Sequence, residues 1–376
     1  MSVIIKEVLT KNDLKKWIRF PLSLYKNSEN FTPFLESEEI GNFTKTVNPA
    51  YEFCDTKLYL AYKNGKIVGR IGAIINHAAN KKWNSNAIRF TRFDFIDDYE
   101  VSSALFNKVI DYGKEYGLKY VMGPIGFTDL DHEGMLIEGF DELNMSITFY
   151  NFPYYIDHME KLGLKKDIDW MEFLISVPNE INPKFKKMSE YLKTRNGYQL
   201  ITYTDKKEVY KDAFEAFSVV DEAFSVLYGT VPLTPAIIKK TIDDNIPVIN
   251  LKYVCMVKDK DGKIVGFALM VPSIVKALKK SKGRLFPFGA FRMLKALNGK
   301  NERLEMYLIA VDPEHQAKGV PAIIIDHMLQ VCIDNGVKYC ETGPELETND
   351  KIQSLWKTFD ARNHKRRRCW KKEITD

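Results

Sequence analysis

Apolar positions along this chain follow two alternating rhythms. Short runs alternate apolar and polar residues, as half-buried strands do, and longer runs place apolar residues three or four apart, as amphipathic helices do. Ser2–Leu9 predicts a first strand. Asn12 or Asp13 then caps a helix through Tyr25, with Leu14, Trp17, Ile18, Leu22 and Tyr25 on one face. Phe31–Tyr51, with Pro33, Gly41 and Asn48-Pro49, predicts a loop. Lys57–Tyr62 and Ile67–Asn76 predict two strands joined by a tight hairpin at Asn64-Gly65. A strand at Ile88–Ile96, a helix at Val101–Tyr116, a strand at Leu118–Met122, a helix at Tyr154–Leu162 and a strand at Trp170–Val177 follow.

Val177–Pro183 carries two prolines and turn formers with no apolar period, and marks a boundary. After a linking helix at Lys184–Thr194 the order starts again. Tyr198–Tyr203 is a strand, Val209–Leu227 a long helix, and Leu251–Lys258 with Ile264–Val271 a strand pair. Arg303–Val311 is the next strand, broken by Asp312-Pro313, and a helix opened by Pro321 runs to Gly336 before a strand at Lys338–Glu341.

The two halves also echo each other in residues. Lys63-Asn64-Gly65-Lys66-Ile67-Val68-Gly69 parallels Asp261-Gly262-Lys263-Ile264-Val265-Gly266. Gly117-Leu118-Lys119-Tyr120 before Gly123-Pro124 parallels Gly336-Val337-Lys338-Tyr339 before Gly343-Pro344. Both echoes fall at the same place in the strand order. The expected fold is therefore a duplicated mixed α/β (α+β) unit, with domains at 1–178 and 179–376, each a mixed, largely antiparallel sheet flanked by helices.

Composition narrows the classes. Hydrophobic content of 45% and 12% aromatics over 376 residues support full cores and exclude disorder. A net charge of +5 is mild for this length and argues against a dedicated nucleic-acid binder. No apolar run approaches the length of a membrane span, and the first residues lack the apolar core of a signal peptide. The cysteines Cys54, Cys255, Cys332, Cys340 and Cys369 show neither zinc nor redox spacing, which fits a reducing cytoplasm and no metal.

Candidate chemistry gathers where the Arg303–Val311 strand enters the following helix. Gln316-Ala317-Lys318-Gly319 makes a tight basic turn just before it. Such a turn aims several backbone N–H groups one way at the positive end of a helix, a place for a phosphate or pyrophosphate. Here the chain resembles the GNAT superfamily of acyl-CoA-dependent N-acyltransferases, in which a Gln/Arg-x-x-Gly-x-Gly/Ala turn holds the coenzyme A pyrophosphate. Gln316 and Gly319 match that turn, and Pro321 replaces a small residue that would bring one more N–H. The resemblance implies acetyl-CoA or another acyl-CoA as co-substrate, held by Ala310, Val311, Gln316, Ala317, Lys318, Gly319, Val320, Ala322 and Asn349. It implies Glu305 as the general base that deprotonates the amine. Tyr307, on the same strand face by its spacing of two, is a further candidate for a polar role.

The whole chain resembles two-domain bacterial GNAT-like proteins, through Asn48-Pro49-Ala50-Tyr51, Gly69-Arg70-Ile71, Arg92–Phe95, Gly123–Phe127 and Glu138–Asp141. In the first half, Asp97, Asp98 and Glu100 occupy the place of the pyrophosphate turn and would repel it. Tyr155 stands where the family's general-acid tyrosine does, and Trp356 takes that place in the second half. The expected function is a bacterial, cytoplasmic N-acyltransferase, most simply an N-acetyltransferase, acting on a small amine. The rival is a non-catalytic module that binds acyl-CoA or an acidic partner, and aminoacyl-tRNA is a third donor to consider. Asp129, Asp131, His132 and Glu133 are expected in a solvated loop. The His364–Lys372 run is expected as an edge strand with its charges outward, its nucleic-acid reading set aside. Residues 273–300 hold eight basic and no acidic residues among apolar ones. They suit a lid over phosphates, an acidic-substrate site or a membrane-surface contact. The sequence holds no oligomer signal.

Overall fold

Asn64 and Gly65 both take positive φ, 54° and 73°, the left-handed pair that a two-residue hairpin requires between long strands. The computed structural model describes residues 2–375. The first half supplies β1 (Ile4–Glu7), β2 (Cys54–Lys63), β3 (Lys66–Asn76), β4 (Ala87–Phe95), β5 (Tyr120–Gly123), β6 (Met135–Glu138) and β7 (Lys165–Ser176). The second supplies β8 (Gln199–Thr202), β9 (Val254–Lys258), β10 (Ile264–Pro272), β11 (Arg303–Val311), β12 (Tyr339–Thr342), β13 (Glu345–Leu346) and β14 (Ala361–Glu373).

Helices α1 (Lys11–Leu24), α2 (Glu36–Asn42), α3 (His77–Trp83), α4 (Tyr99–Glu115) and α5 (Tyr154–Lys161) belong to the first half. The second has α6 (Pro183–Asn196), α7 (Lys206–Phe224), α8 (Pro235–Asn245), α9 (Val275–Ser281), α10 (Gly289–Asn298), α11 (Pro313–Gln316), α12 (Val320–Asp334) and α13 (Asp350–Trp356). The loop expected over Phe31–Tyr51 contains α2. Its buried Glu39 is drawn inward by Arg92 at 2.8 Å, a contact that local periodicity does not encode.

All the main strands join one sheet in the order β1-β2-β3-β4-β5-β14-β7-β12-β11-β10-β9-β8. The halves exchange their last strands: β14 inserts between β5 and β7, and β7 pairs with β12 of the second half. Among the described residues only β4–β5 and β11–β12 are parallel, crossed over by α4 and α12 respectively. Apolar cores fill both faces of the second half's sheet, one under α12 and the other under α7 and α8.

The exchange overturns the expected edge position of the basic C-terminal run. β14 is a central strand, and Lys365 and Arg367 on it are buried and paired rather than solvated. Lys365 reaches Glu341 at 2.5 Å and Glu172 at 3.3 Å, and Arg367 pairs with Glu172. Burial opposes ionisation, yet Lys365, His364 and Arg303 together hold the Glu341 carboxyl down to about 2. Glu172, Glu341 and His364 stand close enough to share a metal ion, but Lys365 and Arg367 already compensate the two carboxylates.

Candidate active site

β10 accompanies β11 along its whole second half, to Gly266↔Val311, whereas β12 pairs with β11 only from Arg303 to Met306. Beyond Met306 the parallel strands part. Backbone groups alternate edges along a strand, so those of residues 307–311 not directed at β10 face the opening. The register also slips between Leu269↔Leu308 and Met270↔Met306, which leaves Tyr307 as the bulged residue. The opening continues as a groove under α12 and α13, partly open to solvent. Met306, Ile309, Ile324, Met328, Cys340 and Trp356 are among its lining residues, all of them apolar, aromatic or sulfur-bearing.

At the far end of β11 the turn forms as the sequence predicts. Asp312 accepts from the Glu314 N–H at 2.9 Å and starts α11, and Gly319 precedes α12 with φ 98°. Among the described residues no side chain caps α12, so its first N–H groups keep their capacity for a ligand, apart from Pro321, which has none. Ala317 and Lys318 are exposed, while Ala310, Val311 and Val320 are buried and Ala322 is half-buried. Gln316 folds back, its amide donating to the Val311 carbonyl at 3.2 Å, so the side chain braces the turn.

The linking helix α6 lies against the same turn. Leu192 stands 2.6 Å from where a Cβ on Gly319 would be, and Asn196 donates to the Lys318 carbonyl at 2.9 Å. One side of the cradle is thus covered, and a pyrophosphate has access from the Ala317–Lys318 side. The uncapped helix start, the open strand edge and the apolar groove fit an acyl-CoA. Asn349 directly precedes α13 and is not among the residues that line the groove.

Glu305 lies near the point where β11 and β12 part, and is only 1% exposed. Ser146 Oγ, from the first half, donates to its Oε2 at 3.0 Å and also meets the Tyr307 hydroxyl at 2.9 Å. Among the described residues its Oε1 is buried with no hydrogen-bond partner, and the Ser273 hydroxyl stands nearby. Burial pushes the Glu305 carboxyl up to about 7; Glu341 on the neighbouring strand adds to this, and Ser273 and Ser146 oppose it. A carboxyl so placed exchanges a proton near neutral pH, the property a general base needs. Burial, then Glu305, raise the Tyr307 phenol well above its ordinary value, so it stays a neutral hydrogen-bonding group.

The duplication gives an internal control. β4 pairs with β5 from Ala87↔Tyr120, and β11 with β12 from Arg303↔Tyr339, where Tyr120 and Tyr339 end the echoed motifs. Counting from those pairs sets Arg89 opposite Glu305. Arg89 is buried and donates to the carbonyls of Gly126 at 3.0 Å and Gly229 at 2.8 Å. An arginine cannot act as a base there. The first half's turn is closed as well: Asp98 accepts from the Glu100 N–H at 3.0 Å, and Lys63 bridges Asp98 and Glu100. Tyr155 is packed in the core, its hydroxyl 2.8 Å from that of Tyr25 and 3.0 Å from the Phe95 N–H.

Other expectations are redrawn. Asp131 and His132 do not form a solvated loop; Asp131 pairs with buried Arg92 at 2.7 Å, because a guanidinium inside the fold requires carboxylates around it. Trp356 donates to Glu345 at 2.9 Å, and burial pushes the Glu345 carboxyl up to about 8. Glu38 on α2 is exposed, and its carboxylate lies near enough to Tyr307 to help keep that phenol protonated. Sequence reasoning passed over Ser146, Arg89, Glu345 and Glu38. Only Arg89 carried a signal, through the repeat; the others are made relevant by contacts between distant segments.

Residues 222–360 match the Acetyltransferase (GNAT) family, a stretch that includes Glu305, the turn and Trp356. Over nearly the whole chain, Protein YghO of Escherichia coli (strain K12) is 26% identical, covering 99% of this chain and 95% of its own. A bacterial ceramide synthase of Caulobacter vibrioides is 22% identical, covering 100% and 98%. Among solved structures, a tandem GNAT protein from the clavulanic acid biosynthesis pathway superposes with a TM-score of 0.58 at 10% identity, over 100% of this chain and 99% of that one. A GCN5-related N-acetyltransferase from Sphaerobacter thermophilus gives 0.50 at 12% identity, over 100% and 96%. The chain shares the fold of these two solved structures, and its residues 222–360 are similar to the GNAT acetyltransferase family.

Proposed function

We propose that this protein, a GNAT acyltransferase on a tandem scaffold, transfers an acyl group from acyl-CoA to an amine, with Glu305 as general base. The observation that carries the reading is the buried Glu305 carboxylate, held by Ser146 yet with one oxygen unpartnered, where β11 and β12 part. Val320 and Ala322 N–H groups at the start of α12 would hold the pyrophosphate, and the free edge of β11 would orient the thioester. The amine nitrogen attacks the thioester carbonyl as Glu305 takes its proton. The carbon–sulfur bond then breaks, and the thiolate leaves and is protonated from solvent. Ser146 and Tyr307 keep the carboxylate aimed at the amine.

The donor's chain is the finer point. The purely apolar groove suits a fatty-acyl chain better than the acetyl group expected from sequence, since a two-carbon acyl would leave that lining unfilled. The relative named a ceramide synthase supports the same choice, because ceramide formation is N-acylation of a long-chain amino alcohol. A lipid-like amine entering between the halves, past Glu38 and Ser146, is the acceptor class we infer. The rival reading, a module that binds acyl-CoA without turnover, rests on Leu192 against Gly319 and on Pro321.

One assay separates them. Thiol release is followed with acetyl-CoA and palmitoyl-CoA against a panel of short and long-chain amines, for the native protein and Glu305→Gln. Release that needs Glu305 and the longer chain supports the transferase. Thermal stabilisation by acyl-CoA with no release for any amine supports the binder.

A further inference from the structure

Helices α9 and α10 form a hairpin whose inner face is fully used. Val275, Ala277 and Leu278 on α9, with Gly289, Met293 and Leu297 on α10, are buried, and part of this set packs on Leu35 of the first half. Gly283 anchors the bend, its carbonyl accepting from the Glu36 N–H at 2.8 Å. The fold therefore needs nothing from the outer face. That face nevertheless presents Phe286 at 83% exposure, Phe288 at 63%, Phe291 at 70% and Leu294 at 49%. Four large apolar side chains so close together on a surface call for a covering partner. Around them Lys276, Lys280, Lys282, Arg284 and Lys295 are exposed, and residues 273–300 include no Asp or Glu.

We propose that this hairpin docks the protein on an anionic lipid bilayer, the phenylalanines entering the headgroup region and the lysines meeting lipid phosphates. Charge selects this occupant. A second copy meeting the same face across a two-fold axis would set lysine against lysine. An anionic membrane complements both features at once, because interfacial helices insert aromatics and surround them with cations. Among the described residues no helix is long and apolar enough to cross a membrane, so attachment would be peripheral and reversible. The hairpin also starts beside the candidate site: Ser273, whose hydroxyl stands near Glu305, lies two residues before α9. Docking would bring that region close to the lipid surface, and it does not depend on the chemistry proposed above.

The test is co-sedimentation of the full chain with phosphatidylcholine vesicles, with and without phosphatidylglycerol. Binding is expected at least about tenfold stronger to the anionic vesicles and weakened by salt. Phe286→Ser/Phe288→Ser/Phe291→Ser and, separately, Lys280→Glu/Lys282→Glu/Lys295→Glu should each reduce it about tenfold or more. Every changed side chain is exposed, and circular dichroism confirms that the variants fold. Failure of the native protein to bind anionic vesicles overturns the proposal, as does binding that survives both variants. A concentration-dependent dimer that the phenylalanine variant turns into monomer, without vesicle binding, overturns it in favour of self-association.

Discussion

Ser146 Oγ donates to Glu305 Oε2 at 3.0 Å across 159 residues of chain. The serine belongs to the half whose own turn is closed by acidic residues, and the glutamate to the half with the open strand edge. The first half thus reaches the candidate site through this serine.

Glu305→Gln keeps the size and the hydrogen bond from Ser146 but cannot take a proton. We expect acyl transfer to fall by about 10²–10⁴ with little change in folding. In the native protein kcat/KM should rise with pH through about 7, as the carboxyl loses its proton, and the variant should lack this limb. A pH–rate profile of both proteins checks it.

Ser146→Ala removes a donor that favours the ionised carboxylate. The Glu305 pKa should therefore rise further and move the acidic limb of the profile to higher pH. The rate at neutral pH should fall by about tenfold, recovering in part on the alkaline side. Ser146→Thr, which retains the hydroxyl, should restore the position of the limb.

Gly319→Ala meets two obstacles, a φ of 98° and Leu192 at 2.6 Å from the new Cβ. A cost of about 1–3 kcal/mol is expected, seen as a lower Tm. Acyl-CoA affinity should fall as well, because the strain falls at the start of α12. Pairing the change with Leu192→Ala should recover much of the stability, measured by a double-mutant cycle.

Lys365→Met leaves Glu172 and Glu341 facing each other in the sheet with less positive charge between them. Removing one partner from a buried ionic network costs about 3–5 kcal/mol. Because β14 links the halves, unfolding followed by denaturant should show the loss in both at once.

Burial raises the Glu345 carboxyl in the folded protein to about 8 against an ordinary 4.5. The folded protein holds this proton while the unfolded chain has released it, so the stabilisation is full below pH about 4.5 and lost as pH rises through about 8. Glu345→Gln should flatten that part of the pH–stability curve and be relatively more stable than the native protein above pH 8. Thermal melts from pH 5 to 9 would show it; parallel curves for the two proteins would refute it.

Local chemistry made much of the fold legible. The Asn64-Gly65 hairpin, the β11 strand and the Gly319 turn are written in nearest-neighbour residues, because backbone sterics and helix capping act over a few positions. The duplication was legible for the same reason, since each repeat carries its own hairpin and Gly-Leu-Lys-Tyr or Gly-Val-Lys-Tyr signal. Glu305 could be singled out on its strand, and its period of two with Tyr307 holds as a shared contact with Ser146. The basic tail misled because charge is an argument for exposure only when no carboxylates wait inside. Here Glu172, Glu341 and Asp169 do.

By itself, then, the amino-acid order determined most of the strands, the repeat and the turn that opens α12. Tertiary structure alone decided which strand each half lends to the other, and that β14 is central. It also decided that a serine from one half holds the glutamate of the other. The reason is range: turns and caps depend on residues a few positions apart, whereas strand exchange and the water-poor surroundings that lift Glu305 exist only once segments more than a hundred residues apart have met.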